Sequence, residues 1–258
     1  VVAGLLLTIL LVAGWGSLIK FWPYNLSLTL ANYEFDKFDA SGWGAYFNSL
    51  QLAAWTAAIG TAVVFLGAYM VEKSRGFGAA RGVVQLLAML PLAVPGLVRG
   101  LAYSVFFNAR WNPLGFLYAT MGILVLNTVA HFYTVSHLTA ATALKQLDAE
   151  FESVGASLKV PFWTTLWRVT IPVCSPAILD IFVYLFVNAM TTVSAVIFLY
   201  STNSKLASIA VVNMDEAGFT AAAAAMAMTI VAMAAAAAVN PASSMFTTAI
   251  AASVGLVE

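Results

Sequence analysis

The chain has 258 residues, of which 62% are hydrophobic and only 9% are charged, and its mean hydropathy is +0.92. Soluble domains carry about 25% charged residues and rarely contain long apolar runs, so the composition excludes an ordinary soluble domain. Lysine plus arginine and aspartate plus glutamate number 11 each, so the net charge favours neither an acidic nor a basic partner. The composition indicates a polytopic membrane protein.

Six apolar runs are long enough to cross a bilayer as helices, which takes roughly 20 residues. They lie at 1–19, 46–70, 83–107, 114–138, 173–199 and 217–239. The first run lacks the basic start and the small-residue cleavage site of a signal peptide, so we expect it to be retained. The third run is interrupted by Pro91, Pro95, Gly96 and Gly100. The sequence predicts an all-α integral membrane fold with six transmembrane helices.

Positive charges indicate how these helices are oriented. Loops 71–82 and 139–172 together hold six lysines and arginines, whereas the alternate loops hold four. Because cytoplasmic loops are enriched in Lys and Arg, we expect both richer loops in the cytoplasm, together with the N- and C-termini. In the first outer loop, Trp22, Tyr24 and Trp43 are expected to anchor the chain at the membrane interface rather than to bind a ligand.

An amphipathic stretch, residues 148–172, separates the fourth and fifth apolar runs. Two glutamates lie in its first turn, where the helix dipole favours negative charge, and apolar residues follow on one helical face. A proline ends this helix, and "FWTTLWRVT" begins a second one. The residues that define this predicted cytoplasmic helix-turn-helix, between the fourth and fifth transmembrane helices, are Glu150, Phe151, Glu152, Val154, Gly155, Leu158, Lys159 and Pro161.

The apolar ridge formed by Phe151, Val154 and Leu158 needs a surface against which to bury. One hypothesis is a helix that rests on lipid without a partner. Anionic lipid would repel the acidic face formed by Glu150 and Glu152, so a groove on a partner protein fits the pattern better.

The same stretch resembles the cytoplasmic coupling motif of binding-protein-dependent ABC importer permeases, in which E-A-A, three residues, G and nine residues precede I-x-L-P. Aligning "VTIP" at 169–172 with the end of that motif places the family glycine at Lys159 and the family glutamate at Ser153. Glu152 stands one residue early, and a glycine occurs instead at Gly155. The turn that the family glycine allows is expected here from Val160 and Pro161.

A second run, "FVNAMTTVSAVIFLYS…KLASIAVVNMDEAG", resembles the permeases for 2-aminoethylphosphonate, within a group that also includes iron(III) permeases. The two similarities cover roughly residues 40–235. They imply one permease domain over 1–258 with its core at about 40–240. The implied solute is 2-aminoethylphosphonate, with iron(III), another anion or a polyamine as alternatives. Because the chain does not begin with Met, we also expect that it is a fragment, or one half of a fused permease.

The resemblance also implies partners and a location. These are ABC ATPase subunits that contact the coupling stretch, a periplasmic substrate-binding protein and a second permease half, identical, different or fused, in a bacterial inner membrane. The chain contains no G-x-x-x-x-G-K-[ST] motif, so ATP is expected to bind to the separate ATPase and not to this chain.

Several polar residues fall inside the apolar runs. A cation at a helix centre is unfavourable by about 2.5–3.5 kcal/mol on insertion scales, so Arg99 is expected to face a cavity or a partner. It either lines the translocation path and attracts an anionic group such as a phosphonate, or it is structurally paired, for example with Asp180. Asn188, Thr191 and Thr192 either line the same path or form hydrogen bonds between helices.

Two other classes of protein were weighed. A membrane enzyme has no support because H-E-x-x-H, G-x-S-x-G and paired acids on one face are all missing, so we expect no catalytic, cofactor-binding or metal-binding residue. An ion-coupled secondary transporter needs carboxylates near mid-span, and only Asp180 qualifies. The lone Cys174 excludes an internal disulfide and is expected to pack in an apolar environment.

Overall fold

The computed structural model of the protein describes residues 2–21, 23–73, 78–147 and 157–239. These ranges are mostly helical. A π-turn over Leu166–Thr170 lies inside one helix, Phe162–Val173. The helices within the described ranges are α1 (Val2–Leu18), α2 (Gly42–Lys73), α3 (Gly78–Ala93), α4 (Gly96–Phe107), α5 (Met121–Gln146), α6 (Phe162–Val173), α7 (Ser175–Thr191), α8 (Ala207–Glu216) and α9 (Thr220–Val239).

The connection between α1 and α2 contains a small hairpin. Strands β1 (Ile19–Phe21) and β2 (Asn25–Leu28) pair antiparallel. The side chain of Asn32 fixes the hairpin to α1 because it donates to the carbonyls of Ser17 and Ile19, at 2.9 and 2.7 Å. In this loop Tyr24 is exposed, whereas Trp22 lies outside the described residues. The interfacial role of these aromatic residues stays a prediction.

Two of the described helices, α2 and α9, are both long and apolar enough to cross a membrane alone. Two bent pairs, α3 with α4 and α6 with α7, add two more candidate spans if each pair crosses as one unit. The apolar helix α1 has 17 residues. The helix α5 has 26 residues, and its buried residues include five polar ones, Asn127, Thr128, Thr134, Ser136 and His137. A mostly helical membrane fold agrees with these elements, the short hairpin being an exception to the all-α prediction, and the full set of six spanning helices stays a prediction.

The third apolar run is divided more sharply than a kinked helix would be. The axes of α3 and α4 differ by 107° across the break at 94–95. Pro95 stands immediately before α4 with φ −54° and ψ 142°, an extended conformation that proline accommodates and a helix does not. The interruption expected from the prolines and glycines is therefore a change of direction.

The predicted bounds of the fourth and fifth runs are wrong. The fourth was expected at 114–138, but Gly115–Leu117 forms a 3₁₀ turn and α5 extends from Met121 to Gln146. The fifth was expected at 173–199, but α7 ends at Thr191, and Thr192 is extended with ψ 134°. In both places the apolar run extends beyond the helix, because turn residues that pack among neighbouring helices are also apolar.

The core forms around α2, which packs against α5 and α7. The approach of α2 to α7 is close, because a Cβ added at Gly60 would lie 2.8 Å from Leu185 Cδ1. The helix α9 packs on α1, α7 and α8. Cys174 is unpaired and 4% exposed, which confirms the expected packing role of its thiol.

Charged contacts mark the two ends of this bundle. At one of them, the Lys205 end, Lys205 pairs with Asp39 from the loop before α2. Asn48 in the first turns of α2 adds hydrogen bonds to the carbonyls of Asn203 and Lys205, at 3.0 Å each. These contacts join the loop before α2 and the first turns of α2 to the segment before α8.

At the opposite end, the Glu72 end, Glu72 of α2 pairs with Arg81 of α3 and Lys145 of α5. The rings of Tyr69 and Phe162 also meet there, with centroids 5.1 Å apart. The described parts of loops 71–82 and 139–172 therefore lie at one end of the bundle, on the same side, as the charge pattern predicts. Which side of the membrane this end faces stays a prediction.

Large apolar side chains cover much of the outer surface. Along α1 alone, Val2, Leu5, Leu7, Leu11 and Val12 each expose more than half of their area. Contiguous apolar surface of this extent suits hydrocarbon rather than water.

Candidate functional site

The turn into α6 contains the described part of the predicted coupling stretch. Leu158, Lys159 and Pro161 are described, and Pro161 stands immediately before α6 with φ −60°. The other residues of the stretch, which lie outside the described residues, are Glu150, Phe151, Glu152, Val154 and Gly155. The first helix of the predicted helix-turn-helix accordingly stays a prediction.

Lys159 adopts a left-handed backbone conformation, with φ +53°. This conformation is unfavourable by about 1–2 kcal/mol for most L-residues and is freely adopted by glycine. Lys159 is the residue that aligns with the glycine of the coupling motif. The turn was expected from Val160 and Pro161 alone, and that expectation is corrected here, because the left-handed step at Lys159 comes first.

Large apolar side chains are exposed on both sides of this turn. Leu158 is 70% exposed, Trp163 60% and Trp167 66%. Together with Phe162, which is 47% exposed, these residues are named the apolar patch. Beside the patch, Leu166 is fully buried, so α6 contacts the core at this residue while the patch side chains stay exposed.

The aromatic part of the apolar patch is missing from the residues that the sequence singles out. Phe162 packs against Trp163, with centroids 5.0 Å apart, and against Tyr69 of α2. The signal was present in "FWTTLW", where Trp163 and Trp167 stand four residues apart and share a helical face. The predicted coupling residues end at Pro161, one residue before this aromatic group begins.

A second polar site surrounds Arg99, which is 7% exposed on α4. Its Nη2 donates to the carbonyl of Val94 at 2.9 Å and also to that of Pro91. In an unbroken helix the carbonyl of Pro91 would accept from the N–H of residue 95, which proline lacks. The guanidinium therefore satisfies backbone groups that the break between α3 and α4 leaves open.

The other terminal nitrogen of Arg99, Nη1, lies 3.0 Å from Nδ1 of His131 on α5. A guanidinium can only donate, so Nδ1 accepts and His131 carries its proton on Nε2. Around this bond α4 is tightly packed: a Cβ added at Gly96 would lie 2.7 Å from Ser194 Oγ, and one at Gly100 would lie 2.8 Å from the carbonyl of Ala195.

The carbonyl of Ala195 also accepts from the side chain of Asn127, at 2.5 Å. Arg99, Asn127, His131 and Ser194 thus form one site, named the Arg99 cluster. It joins the start of α4, the middle of α5 and the segment that follows α7.

Two of the three remaining path candidates bond within their own helix, and the third is bonded from α8. Asn188 donates to the carbonyl of Tyr184 at 2.7 Å, and Thr191 to that of Val187 at 3.1 Å, both within α7. The backbone carbonyl of Thr192 accepts from Ser208 at 2.7 Å. Their role in a translocation path stays a prediction.

The partner of Arg99 differs from the one expected. The carboxylate of Asp180 is exposed on α7, whereas the described partners of Arg99 are His131 and two backbone carbonyls. Arg99 is therefore structurally paired, as one of the two alternatives expected, but its partners are neutral groups and not a carboxylate. A role in the path stays a prediction.

No family model matches the chain. It is similar to the ferric transport system permease protein FbpB of Actinobacillus pleuropneumoniae, with 30% identity over 207 residues, which are 79% of this chain and 29% of that protein. A ferric transport system permease protein of Haemophilus influenzae, FbpB 1, is 32% identical over 195 residues, 74% of this chain and 30% of its own length. A sulfate transport system permease protein of Helicosporidium is 27% identical over 161 residues, 59% of this chain and 58% of that protein.

The chain spans less than a third of the length of the two ferric relatives that it matches. All three relatives are named as permeases of transport systems, and none is named as an enzyme. At this coarse level the similarity agrees with the ABC importer class that the coupling stretch resembles.

Proposed function

We propose that the chain is the transmembrane permease subunit, or one half of a fused permease, of an ATP-binding-cassette importer. The observation that carries the proposal is the 30% identity to a ferric transport system permease over 79% of this chain. The chain forms a translocation path for a small solute, and hydrolysis of ATP on a separate ATPase chain drives the transport. The assembly lies in a bacterial inner membrane with the Glu72 end in the cytoplasm, together with both termini.

The apolar patch is the described part of the surface that contacts the ATPase. Its four side chains expose apolar area at the Glu72 end, beside the left-handed turn at Lys159. An apolar helical face of this kind fits a groove on a partner. A periplasmic substrate-binding protein delivers the solute at the Lys205 end, and a second permease half completes the path.

Iron(III) is better supported as the transported species than 2-aminoethylphosphonate. The two ferric relatives are named for ferric transport, whereas the phosphonate assignment depends on the resemblance of residues 186–218 alone. The path runs beside α4 and α7, near Asn188, Thr191 and Thr192. Arg99 shapes this path by holding the break between α3 and α4, because its donors are engaged by carbonyls and His131.

Co-purification with the ATPase tests the coupling surface. Trp163→Ala removes an aromatic side chain that is 60% exposed in the apolar patch, and Trp111→Ala is the matched control, 74% exposed in the loop at the start of α5. With tagged permease in mild detergent, Trp163→Ala is expected to lower the recovery of the ATPase at least tenfold, and Trp111→Ala to leave it unchanged. Equal recovery with both variants would contradict the assignment.

The transported species is tested by stimulation of ATP hydrolysis. The complex is reconstituted in lipid nanodiscs and mixed with binding protein loaded with Fe(III) or with 2-aminoethylphosphonate. We expect Fe(III)-loaded binding protein to raise the rate severalfold over the unloaded protein. Stimulation by the phosphonate alone would contradict the ferric assignment and leave the importer class intact.

A further inference from the structure

Glu72 is a buried carboxylate at the end of α2. Its side chain is 4% exposed and lies between cations from two other helices. Arg81 of α3 donates from Nη2 to Oε2 at 2.5 Å. Lys145, in the last turn of α5, places Nζ 3.6 Å from Oε1. One carboxylate thus joins the ends of three helices.

The two halves of this cluster differ in strength. The Arg81 contact is a short, charge-assisted hydrogen bond, whereas 3.6 Å between Lys145 and Oε1 exceeds hydrogen-bond distance. Oε1 is buried, and none of the described residues gives it a hydrogen bond. A small movement of the last turn of α5 toward α2 would therefore create a new charge-assisted bond. The Lys145 contact is the adjustable half of the cluster.

The cations are accessible, with 42% of the Arg81 side chain and 58% of the Lys145 side chain exposed. Water can solvate either cation if it leaves the cluster, but the buried carboxylate has no such alternative. Movement of α5 therefore changes the environment of Glu72 more than that of its partners. The carboxylate of Glu72 therefore contacts both α3, through Arg81, and α5, through Lys145.

The cluster adjoins the coupling stretch at two places. The chain enters the stretch directly after α5, whose last turn holds Lys145, and Phe162 within the stretch places its ring 5.1 Å from that of Tyr69. Tyr69 and Glu72 are three residues apart on α2, so they share one helical face. A displacement of the stretch thus reaches the last turn of α2 from two sides.

We propose that Glu72 is a positioning residue that transmits movement of the coupling stretch to α2 and α3 during transport. The inference depends on the proposed function. When the ATPase moves the stretch, α5 shifts Lys145 relative to Oε1, and Glu72, bonded to Arg81, carries α3 with it. Because α3 leads into the break that Arg99 holds, the displacement is directed at the Arg99 cluster.

The test separates coupling from folding. Glu72→Gln and Lys145→Met are compared with wild type in nanodiscs that contain the ATPase subunits, and the readout is the ratio of ATP hydrolysis with Fe(III)-loaded binding protein to hydrolysis without it. Both variants are expected to lower this ratio at least fivefold while recovery of the assembled complex is retained. Lys145→Met keeps the bond between Arg81 and Glu72, so its hydrolysis ratio tests the inference even if the Glu72→Gln complex does not assemble.

Glu34→Gln is the matched control, since it removes an exposed glutamate paired with Lys37 at the other end of the chain's bundle. It is expected to leave the ratio unchanged. A wild-type ratio in Lys145→Met would overturn the inference. Failure of the wild-type complex to assemble with or be driven by an ATPase would instead overturn the proposed function.

Discussion

Asp39 and Lys205, 166 positions apart in the chain, form an ion pair that is almost closed to solvent. Their side chains are 6% and 15% exposed. The carboxylate also accepts from the backbone N–H of Ser41 at 2.8 Å. The pair closes the Lys205 end of the bundle by tying the loop before α2 to the segment before α8.

Asp39→Asn is expected to lower stability strongly, because it leaves the buried ammonium of Lys205 without its counter-ion. Removing one partner of a buried pair typically lowers the free energy of unfolding by about 3–5 kcal/mol. Lys37→Met, which breaks the exposed pair with Glu34, is the control and should lower it by less than about 1 kcal/mol. Thermal unfolding in detergent, followed by tryptophan fluorescence, compares the two. Equal losses would contradict the structural role of Lys205.

The same pair predicts a pH dependence. Burial alone would raise the pKa of Asp39, but hydrogen bonds from Lys205 and Ser41 outweigh it and hold the pKa below its usual 3.8. A depressed carboxyl pKa stabilises the fold fully above the unfolded-state value and progressively less as pH falls through the folded-state value. Unfolding temperatures of wild type and Asp39→Asn should therefore converge below about pH 4. A constant difference from pH 7 to pH 3 would contradict this.

Lys159→Gly is expected to stabilise the turn into α6 by about 1 kcal/mol or to be neutral, because glycine removes the left-handed strain but adds freedom to the unfolded chain. Lys159→Val should be destabilising, since a β-branched residue tolerates a φ of +53° poorly. Ala119, with φ +61° in the loop before α5, gives the control Ala119→Gly. Lys159→Val should also lower recovery of the ATPase, whereas Lys159→Gly and Ala119→Gly should leave it unchanged. Tolerance of Lys159→Val in both measurements would contradict the observed turn.

Arg99→Ala is expected to reduce the amount of folded protein, because it removes the donor from the carbonyls of Pro91 and Val94. A polar group left unpaired away from water is unfavourable by about 1–3 kcal/mol. Arg99→Lys should retain part of the stability, since an ammonium still donates. Size-exclusion profiles and expression level measure the effect. Normal folding of Arg99→Ala with loss of transport would favour a direct role in the path.

Gly100→Ala is expected to destabilise the packing of α4 by about 1–3 kcal/mol, as overpacking does. Its Cβ would lie 2.8 Å from the backbone carbonyl of Ala195, which cannot move without displacing the segment after α7. Gly82→Ala in α3 is the control, because no atom of the described residues lies within 4 Å of the Cβ it adds. Unfolding temperatures of the two variants should shift in opposite directions. A stabilised Gly100→Ala would contradict the close contact.

The sequence predicts the first, second and sixth apolar helices well, because their boundaries depend on local hydrophobicity. The run at 217–239 corresponds to α9, and the run at 46–70 lies inside α2. The division at Pro95 was also visible, since proline lacks the N–H that a helix needs. Its angle was not, because the direction of α4 depends on the packing of Gly96 and Gly100 against Ser194 and Ala195.

The sites were predictable only in part. Local spacing indicated Leu158 and the break near Pro161, both of which stand at the turn into α6. The partners of Glu72 and Asp39 come from residues far away in the chain, and no local pattern pairs them. Arg99 was expected to need a partner, and the structure supplies backbone carbonyls, which carry no signal in the sequence.

Solute uptake into proteoliposomes tests the central claim most directly. The purified complex of this chain with its ATPase is reconstituted, and uptake from Fe(III)-loaded binding protein is followed with ATP on the ATPase side, with a non-hydrolysable analogue, or with a proton or sodium gradient alone. We predict uptake with ATP only. Uptake driven by an ion gradient in vesicles that contain this chain but no ATPase would contradict the account.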